Sequence, residues 1–222
     1  VGEEGEQPPI TTVRICDSLT CSMYGGESLL KSVEGDVDST VRVQRAPCMG
    51  RCDRAPIALV NKRYIERANR ERIKSCIAGG VKTNAQPLIG TYQSLSSYLA
   101  EGGYKILRKI RKGEKLRTDV LDELVESGLK GLGGAGFSTG RKWGLINPND
   151  NPLMAVNADE GEPGTFKDRH VLTTAPHQFL EGVLIAAEVG GVREVYIYLR
   201  AEYPDCHIIL QQELEAIKQA NL

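Results

Sequence analysis

Two closely spaced cysteine pairs, Cys16-x4-Cys21 and Cys48-x3-Cys52, constrain this chain more than any other feature. Each pair follows a stretch of β-branched residues that alternate with polar ones, residues 11–15 (TTVRI) and 40–45 (TVRVQR). That alternation is the pattern of a strand with one buried face. Loops that leave one end of a sheet can meet, so the two pairs can assemble four thiolates. Four sulfurs suit either zinc or a [2Fe–2S] cluster. Zinc ribbons usually repeat C-x2-C knuckles and thioredoxin-like dithiols use C-x-x-C, and neither spacing occurs in these pairs. The spacing favours iron–sulfur, with zinc and disulfide bonding as the alternatives. Cys76 and Cys206 have no partner at ligand spacing and read as ordinary residues. Metal ligation rather than disulfide formation also implies a reducing compartment, hence a cytoplasmic location.

The elements around the cysteines read β-α-β-β-α. Glu27 to Val33 has helical spacing, residues 57–60 and 63–65 form a hairpin about Asn61-Lys62, and residues 66–78 put Ala68, Ile73 and Ile77 on one helical face before Gly79-Gly80. The acidic, polar residues 1–10 are expected to be a disordered lead-in, residues 11–82 a first domain, 83–92 a linker and 93–222 a second domain. In the second domain, 93–112 and 118–127 read as helices, the latter with Val120, Leu121, Leu124 and Val125 facing inward. A glycine-rich stretch, GLKGLGGAGFSTGRKWG, follows. Strand 153–157 then leads into an acidic turn, DEGEPGTFKDRH, and helix 177–189, strand 193–199 and helix 205–220 complete the chain. Alternating helices and strands are what a parallel sheet with crossover helices requires.

Composition removes whole classes of function. Lys and Arg number 28 and Asp and Glu 29, so the net charge of −1 creates no field to recruit nucleic acid or an anionic bilayer. The most apolar run, near Gly182 to Val192, is broken by Glu188 and is shorter than the ~20 residues that span a bilayer. No membrane span is expected. The N-terminus also lacks the basic-then-apolar order of a secretory signal.

Over residues 11–80 the pairs Cys16/Cys21 and Cys48-Met49-Gly50-Arg51-Cys52, with Pro56 shortly after, resemble the thioredoxin-like [2Fe–2S] ferredoxins. That family includes the 24-kilodalton-type subunit of respiratory complex I. The resemblance implies that Cys16, Cys21, Cys48 and Cys52 hold one cluster. In the glycine-rich stretch, residues without side chains let backbone N–H groups approach a phosphate, and Arg141 and Lys142 add positive charge beside it. It is not a P-loop, because no Gly-Lys-Ser/Thr follows. It is not a Rossmann fingerprint either, because a helix rather than a strand precedes it.

The segment Glu126 to Trp143 and the segment Asn157 to Arg169 (NADEGEPGTFKDR) are similar to the FMN- and NADH-binding subunit of complex I, within a similarity running from about Leu95 to Tyr203. By that resemblance Gly131, Gly133, Gly134, Ala135 and Gly136 lie against NADH and flavin, and Phe137 stacks on the adenine. Lys142, Asn157, Asp159 and Glu160 hydrogen-bond the flavin, and Glu162 approaches the nicotinamide as the catalytic residue. Leu132 stands where that family usually has Arg, and Ser138 where it usually has Pro, so the contacts of that Arg do not carry over. His170, His177 and His207 show no ligand spacing and read as surface or cap residues. The basic run Lys105 to Arg117 reads as a solvated or docking face.

The expected fold is α/β, a thioredoxin-like [2Fe–2S] domain followed by the N-terminal part of a Rossmann-like FMN/NADH-binding domain. The resemblance implies an NAD-linked electron-transfer subunit that uses [2Fe–2S], FMN and NAD(H). Fusion of the two domains in one chain favours the β subunit of an NAD-dependent formate dehydrogenase, with a molybdenum- or tungsten-pterin catalytic subunit bearing iron–sulfur clusters as partner. The alternatives are the diaphorase part of an NAD-reducing hydrogenase, complex I itself, a cluster-binding electron carrier without flavin, and a zinc-stabilised interaction module. Such subunits continue into a region with a [4Fe–4S] cluster, and the expectation is that this chain stops before it and does not oxidise NADH unaided.

Overall fold

The computed structural model describes residues 11–79, 89–131 and 135–222. The expected lead-in at 1–10, most of the expected linker, and Leu132, Gly133 and Gly134 lie outside the described residues. The chain forms two compact units, one comprising Val1–Leu88, Glu160–Arg169 and Ala201–Pro204, the other Ile89–Asp159, His170–Arg200 and Asp205–Leu222.

The first unit follows the β-α-β-β-α order. Its elements are β1 (Thr11–Cys16), α1 (Leu19–Met23), α2 (Gly26–Glu34), β2 (Val41–Ala46), β3 (Ala58–Val60), β4 (Arg63–Ile65) and α3 (Arg70–Ala78). The strands lie in the order β2-β1-β3-β4. β1 runs parallel to β2, with Cys16 opposite Ala46, and antiparallel to β3, with Val13 opposite Val60. A parallel neighbour needs a crossover, and α2 supplies it by burying Leu29, Leu30 and Val33 against Val13, Ile15, Ala58, Val60 and Ile73. The hairpin turns at Asn61, whose φ of 53° is one that Asn tolerates, and its Oδ1 accepts from the Thr12 N–H at 2.8 Å. Helix α3 starts later than the expected residue 66, because the Asn69 side chain caps it by accepting from the Arg72 N–H at 2.9 Å.

The second unit contains α4 (Leu95–Ala100), α5 (Lys105–Arg111), α6 (Arg117–Glu126), α7 (Thr139–Gly144), β5 (Leu153–Ala158), the greater part of α8 (Lys167–Thr174), α9 (Pro176–Gly190), β6 (Glu194–Leu199) and nearly all of α10 (Pro204–Gln219). β5 and β6 pair in parallel, Leu153 opposite Glu194 through Ala158 opposite Leu199. Several expectations need correction. The helix expected over 93–112 is two helices, because Gly102 and Tyr104 take φ of 96° and 62° and turn the chain. On α6 only Val120 is fully buried, and Val125 is 50 % exposed rather than inward-facing. His177 is no surface residue: it is fully buried, with Nδ1 2.9 Å from the Tyr104 hydroxyl and Nε2 2.6 Å from Glu213. Nor is all of the basic run solvated, since Arg117 donates to the carbonyls of Val189, Trp143 and Ile146. Among the described residues no helix is long and apolar enough to cross a membrane.

Candidate functional site: a four-cysteine centre and a glycine loop

The strands of the first unit bring its cysteines to one end. Cys16 ends β1, Cys21 lies in α1, and Cys48 and Cys52 flank the loop that follows β2. Cys16, Cys21 and Cys48 are buried and Cys52 is half-buried. Cys16 and Cys21 form one pair: a hydrogen bond from the Cys21 thiol brings Cys16 down to about 6, against the opposing effect of burial. The same contact, seen from its other end, pushes Cys21 up. Cys48 Sγ and Cys52 Sγ form the second pair at 3.5 Å. Burial pushes the Cys48 thiol up, partly offset by the Gly50 N–H that donates to it at 3.4 Å.

The pairs also sense one another, since charge on Cys52 disfavours the thiolate of Cys21 and charge on Cys16 that of Cys48. Among the described residues, no three His, Cys, Asp or Glu side chains form a group able to hold a single metal ion. Two thiol pairs fit a two-iron cluster, in which each iron takes its own pair of sulfurs.

The loop that carries Cys48 and Cys52 is held from two directions. On one, the buried Arg51 bonds Glu66 at 3.2 Å and lies 4.5 Å from the centroid of the Tyr64 ring, while Arg54 reaches the same carboxylate at 3.1 Å. On the other stands the acidic turn. Arg169 donates through Nε to the Gly50 carbonyl at 3.0 Å and pairs with Asp53. The fully buried Tyr203 donates to Glu160 Oε2 at 3.1 Å, and the Gly164 N–H donates to Cys52 Sγ at 3.2 Å.

Glu160 is 4 % exposed. Burial works against its charge, but N–H bonds from Asp168 at 2.9 Å and Arg169 at 3.2 Å, together with Tyr203 and Lys167, outweigh burial and hold its carboxyl below the usual range. Both oxygens are thus engaged by the start of α8 and by Tyr203. Glu162, by contrast, is exposed. The roles of Arg169, Tyr203 and Gly164 were not legible from the sequence, since nothing in their spacing relates them to Cys52.

In the second unit the glycine loop is closed at its base, where the Gly131 N–H donates to the Phe137 carbonyl at 3.0 Å and that of Thr139 to Leu129 at 2.9 Å. Gly136 takes a φ of 59°, Ala135 is exposed and Phe137 is 52 % exposed, so the loop presents an uncovered aromatic ring. Ser138 caps α7, its Oγ accepting from the Arg141 N–H at 3.4 Å. Lys142 on α7 borders an apolar groove of about 900 Å³ together with Leu129, Trp143, Met154 and Val156. Asn157 and Asp159 are exposed at the end of β5, with Asn157 Oδ1 accepting from the Asp159 N–H at 2.9 Å. An exposed cation, an N–H-rich loop and exposed polar groups at a strand's carboxyl end are what a phosphate-bearing ligand uses in α/β folds.

Comparisons with known proteins agree with both halves. Residues 6–80 match the family of thioredoxin-like [2Fe–2S] ferredoxins, and residues 124–221 match the Nuo51 FMN-binding domain. The F-type subunit of the NADH-quinone oxidoreductase of Aquifex aeolicus is 42 % identical over 57 % of this chain and 29 % of its own length. The alpha subunit of the NAD-reducing hydrogenase HoxS of Cupriavidus necator is 31 % identical over 95 % of this chain and 40 % of its own. A crystal structure of an NAD+-reducing [NiFe]-hydrogenase in the air-oxidized state superposes with a TM-score of 0.78 at 26 % identity, covering 98 % of this chain and 42 % of that one. The chain therefore spans well under half the length of these relatives. The fold is thus a thioredoxin-like [2Fe–2S] domain followed by an FMN-binding domain, and its cofactors are a [2Fe–2S] cluster and FMN.

Proposed function

We propose that this chain, which joins a thioredoxin-like [2Fe–2S] ferredoxin domain to a Nuo51-type FMN-binding domain, is an electron-transfer subunit exchanging hydride between NAD(H) and FMN. It passes single electrons through its cluster to or from a partner catalytic subunit. The observation that carries this reading is the presence of both domains in one chain, an arrangement that the HoxS alpha subunit matches across 95 % of this chain. Bound flavin supplies hydride exchange, the cluster supplies one-electron transfer, and the protein contributes binding, orientation and electrostatics.

Cys16, Cys21, Cys48 and Cys52 are assigned as the cluster ligands, supported by their two paired arrangements. Gly131, Gly133, Gly134, Ala135 and Gly136 are assigned to the nucleotide and flavin, with Phe137 stacking on adenine. Lys142, Asn157 and Asp159 are assigned to hydrogen bonds with flavin, in keeping with their exposure. Glu160 is assigned to the same site through its backbone, because its carboxylate oxygens are already engaged. The exposed Glu162 is assigned to the nicotinamide side as the catalytic residue.

For the partner, the first reading is a molybdenum- or tungsten-pterin subunit of a formate dehydrogenase, with which the fusion of the two domains is compatible. Further clusters, [4Fe–4S] among them, would continue the electron path. A hydrogenase partner is the second reading, favoured by the match to the NAD-reducing hydrogenase subunit. Purification of the native complex decides between them. NAD+ reduction driven by formate, with molybdenum or tungsten in the preparation, is the expected result. Reduction driven by hydrogen, with nickel present, would select the second reading, and an absence of flavin together with iron would refute the function as a whole.

A further inference from the structure

Several charged and polar side chains gather around one backbone contact, the Gly164 N–H at 3.2 Å from Cys52 Sγ. Of the four cysteines, Cys52 is the least buried. Its donor comes from a segment more than a hundred positions away in the chain, within the acidic turn. The turn does not rest on the cysteine loop by chance packing, because three side chains fix its place. Arg169 spans the Gly50 carbonyl and Asp53, the residues on either side of the Arg51-Cys52 dipeptide. Tyr203, fully buried, donates to Glu160 and also reaches the Gly50 carbonyl at 3.4 Å. Glu160 in turn accepts from the N–H groups of Asp168 and Arg169, which sets the start of α8 and so the position from which Arg169 extends. Gly50 completes the fit: its φ is 66°, and a Cβ there would strike the Tyr203 hydroxyl and ring.

We propose that Glu160, Arg169 and Tyr203 are positioning residues for the iron–sulfur centre, holding the Gly164 N–H on Cys52 Sγ so that this hydrogen bond raises the cluster's reduction potential. The inference rests on the assignment of the four cysteines as cluster ligands. Reduction adds one electron, and therefore one negative charge, to a centre whose sulfurs already carry negative charge. An N–H pointed at a sulfur stabilises the more negative, reduced form, and hydrogen bonds to the sulfurs are among the levers that set such potentials. Arg169 has a second influence, its positive charge. Its forked geometry, one arm to a carbonyl and one to a carboxylate, is what lysine lacks.

The test is an EPR-monitored redox titration of the full chain, reduced with dithionite, alongside Arg169→Gln, Arg169→Lys and Tyr203→Phe, with iron and sulfide measured in each. The expected result is an undiminished cluster content and a more negative midpoint potential in all three variants, Arg169→Lys included. Recovery of the original potential by Arg169→Lys would reduce the effect to charge alone and overturn positioning. Unchanged potentials in Arg169→Gln and Tyr203→Phe would do the same.

Because a variant can fail to fold, the contact is also read in otherwise unsubstituted protein labelled with [15N]glycine. There, pulsed EPR of the reduced cluster should show couplings from two glycine nitrogens, that of Gly50 on Cys48 Sγ and that of Gly164 on Cys52 Sγ. A coupling from only one glycine nitrogen would sink the proposal. A reduced chain with no [2Fe–2S] signal at all would overturn the cysteine assignment and this inference together, whereas a normal signal with unmoved potentials overturns the inference alone.

Discussion

At the scale of single residues, the four cysteines carry the strongest expectation. Each iron of a [2Fe–2S] cluster takes two thiolates, so Cys16→Ala, Cys21→Ala, Cys48→Ala and Cys52→Ala should each bleach the visible absorption and lower iron and sulfide content. Cys76 sits on α3, where burial pushes its thiol up and away from the thiolate form a ligand needs. Cys206 is fully buried in α10. Cys76→Ala and Cys206→Ala should leave the spectrum intact. Full iron in all four single ligand variants would refute the assignment. The two cysteine pairs were legible from spacing, the feature by which metal chemistry restricts ligand type and separation. Glu160 was legible only as part of an acidic turn, and its capping bonds to α8 depend on a fold in which Lys167–Thr174 is helical.

Elements are held by contacts between them, and two predictions belong to this scale. Asp36, just beyond α2, pairs with Arg70 and with Lys74 Nζ of α3, the latter at 2.9 Å. The hydrogen bonds from Arg70 and Lys74 hold its carboxyl down at about 2, below the ordinary value of 3.8. A carboxyl that titrates lower when folded stabilises the fold while it is charged. This contribution is complete above the ordinary value and disappears as the pH falls from about 4 towards about 2. Asp36→Asn should therefore lower stability near neutral pH and flatten its loss across that acid window, as read from urea unfolding at a series of pH values. An unaltered acid limb would exclude the pairing.

On the other unit, Gly140 lets α7 lie against α6. A Cβ at that position would come within 2.7 Å of Val125 Cγ2 and 2.8 Å of the Val125 nitrogen. Backbone cannot yield as a side-chain end can, so Gly140→Val should cost about 1–3 kcal/mol of stability, measured by thermal or urea unfolding. A change within about ±0.5 kcal/mol, the usual span for an unconstrained surface site, would show that the helices separate freely.

For the whole molecule, the placing of Cys48 and Lys142 in different compact units leads to a separable pair of defects. The cysteines lie in the unit built on the four-stranded sheet, and Lys142 lies in the unit built on β5 and β6. Lys142→Ala should weaken FMN binding about tenfold or more, the usual worth of one charge-assisted hydrogen bond, while leaving the cluster spectrum unchanged. Cys48→Ala should do the reverse. Flavin titration by fluorescence quenching and the visible spectrum, taken on both variants, check this. Joint loss of both cofactors in Lys142→Ala would mean that the two sites do not form independently.

Local chemistry was enough to read the two cysteine pairs, the β-α-β-β-α order and the parallel β5/β6 pair from the sequence alone. Periodicity, ligand spacing and the special backbone freedom of glycine act over a few residues and so are written in consecutive positions. The short helices α1, α7 and α8 escaped that reading because five to eight residues hold too few turns to show a period. The break between α4 and α5 escaped it because the turn at Tyr104 depends on a ring buried against His177. Only the tertiary structure could decide that Glu160–Arg169 and Tyr203 belong with the cysteine loop. The bonds of Arg169 to Gly50 and Asp53, and of Gly164 to Cys52, join positions more than a hundred residues apart. Such contacts arise from how chain segments pack, and no rule of local spacing encodes them.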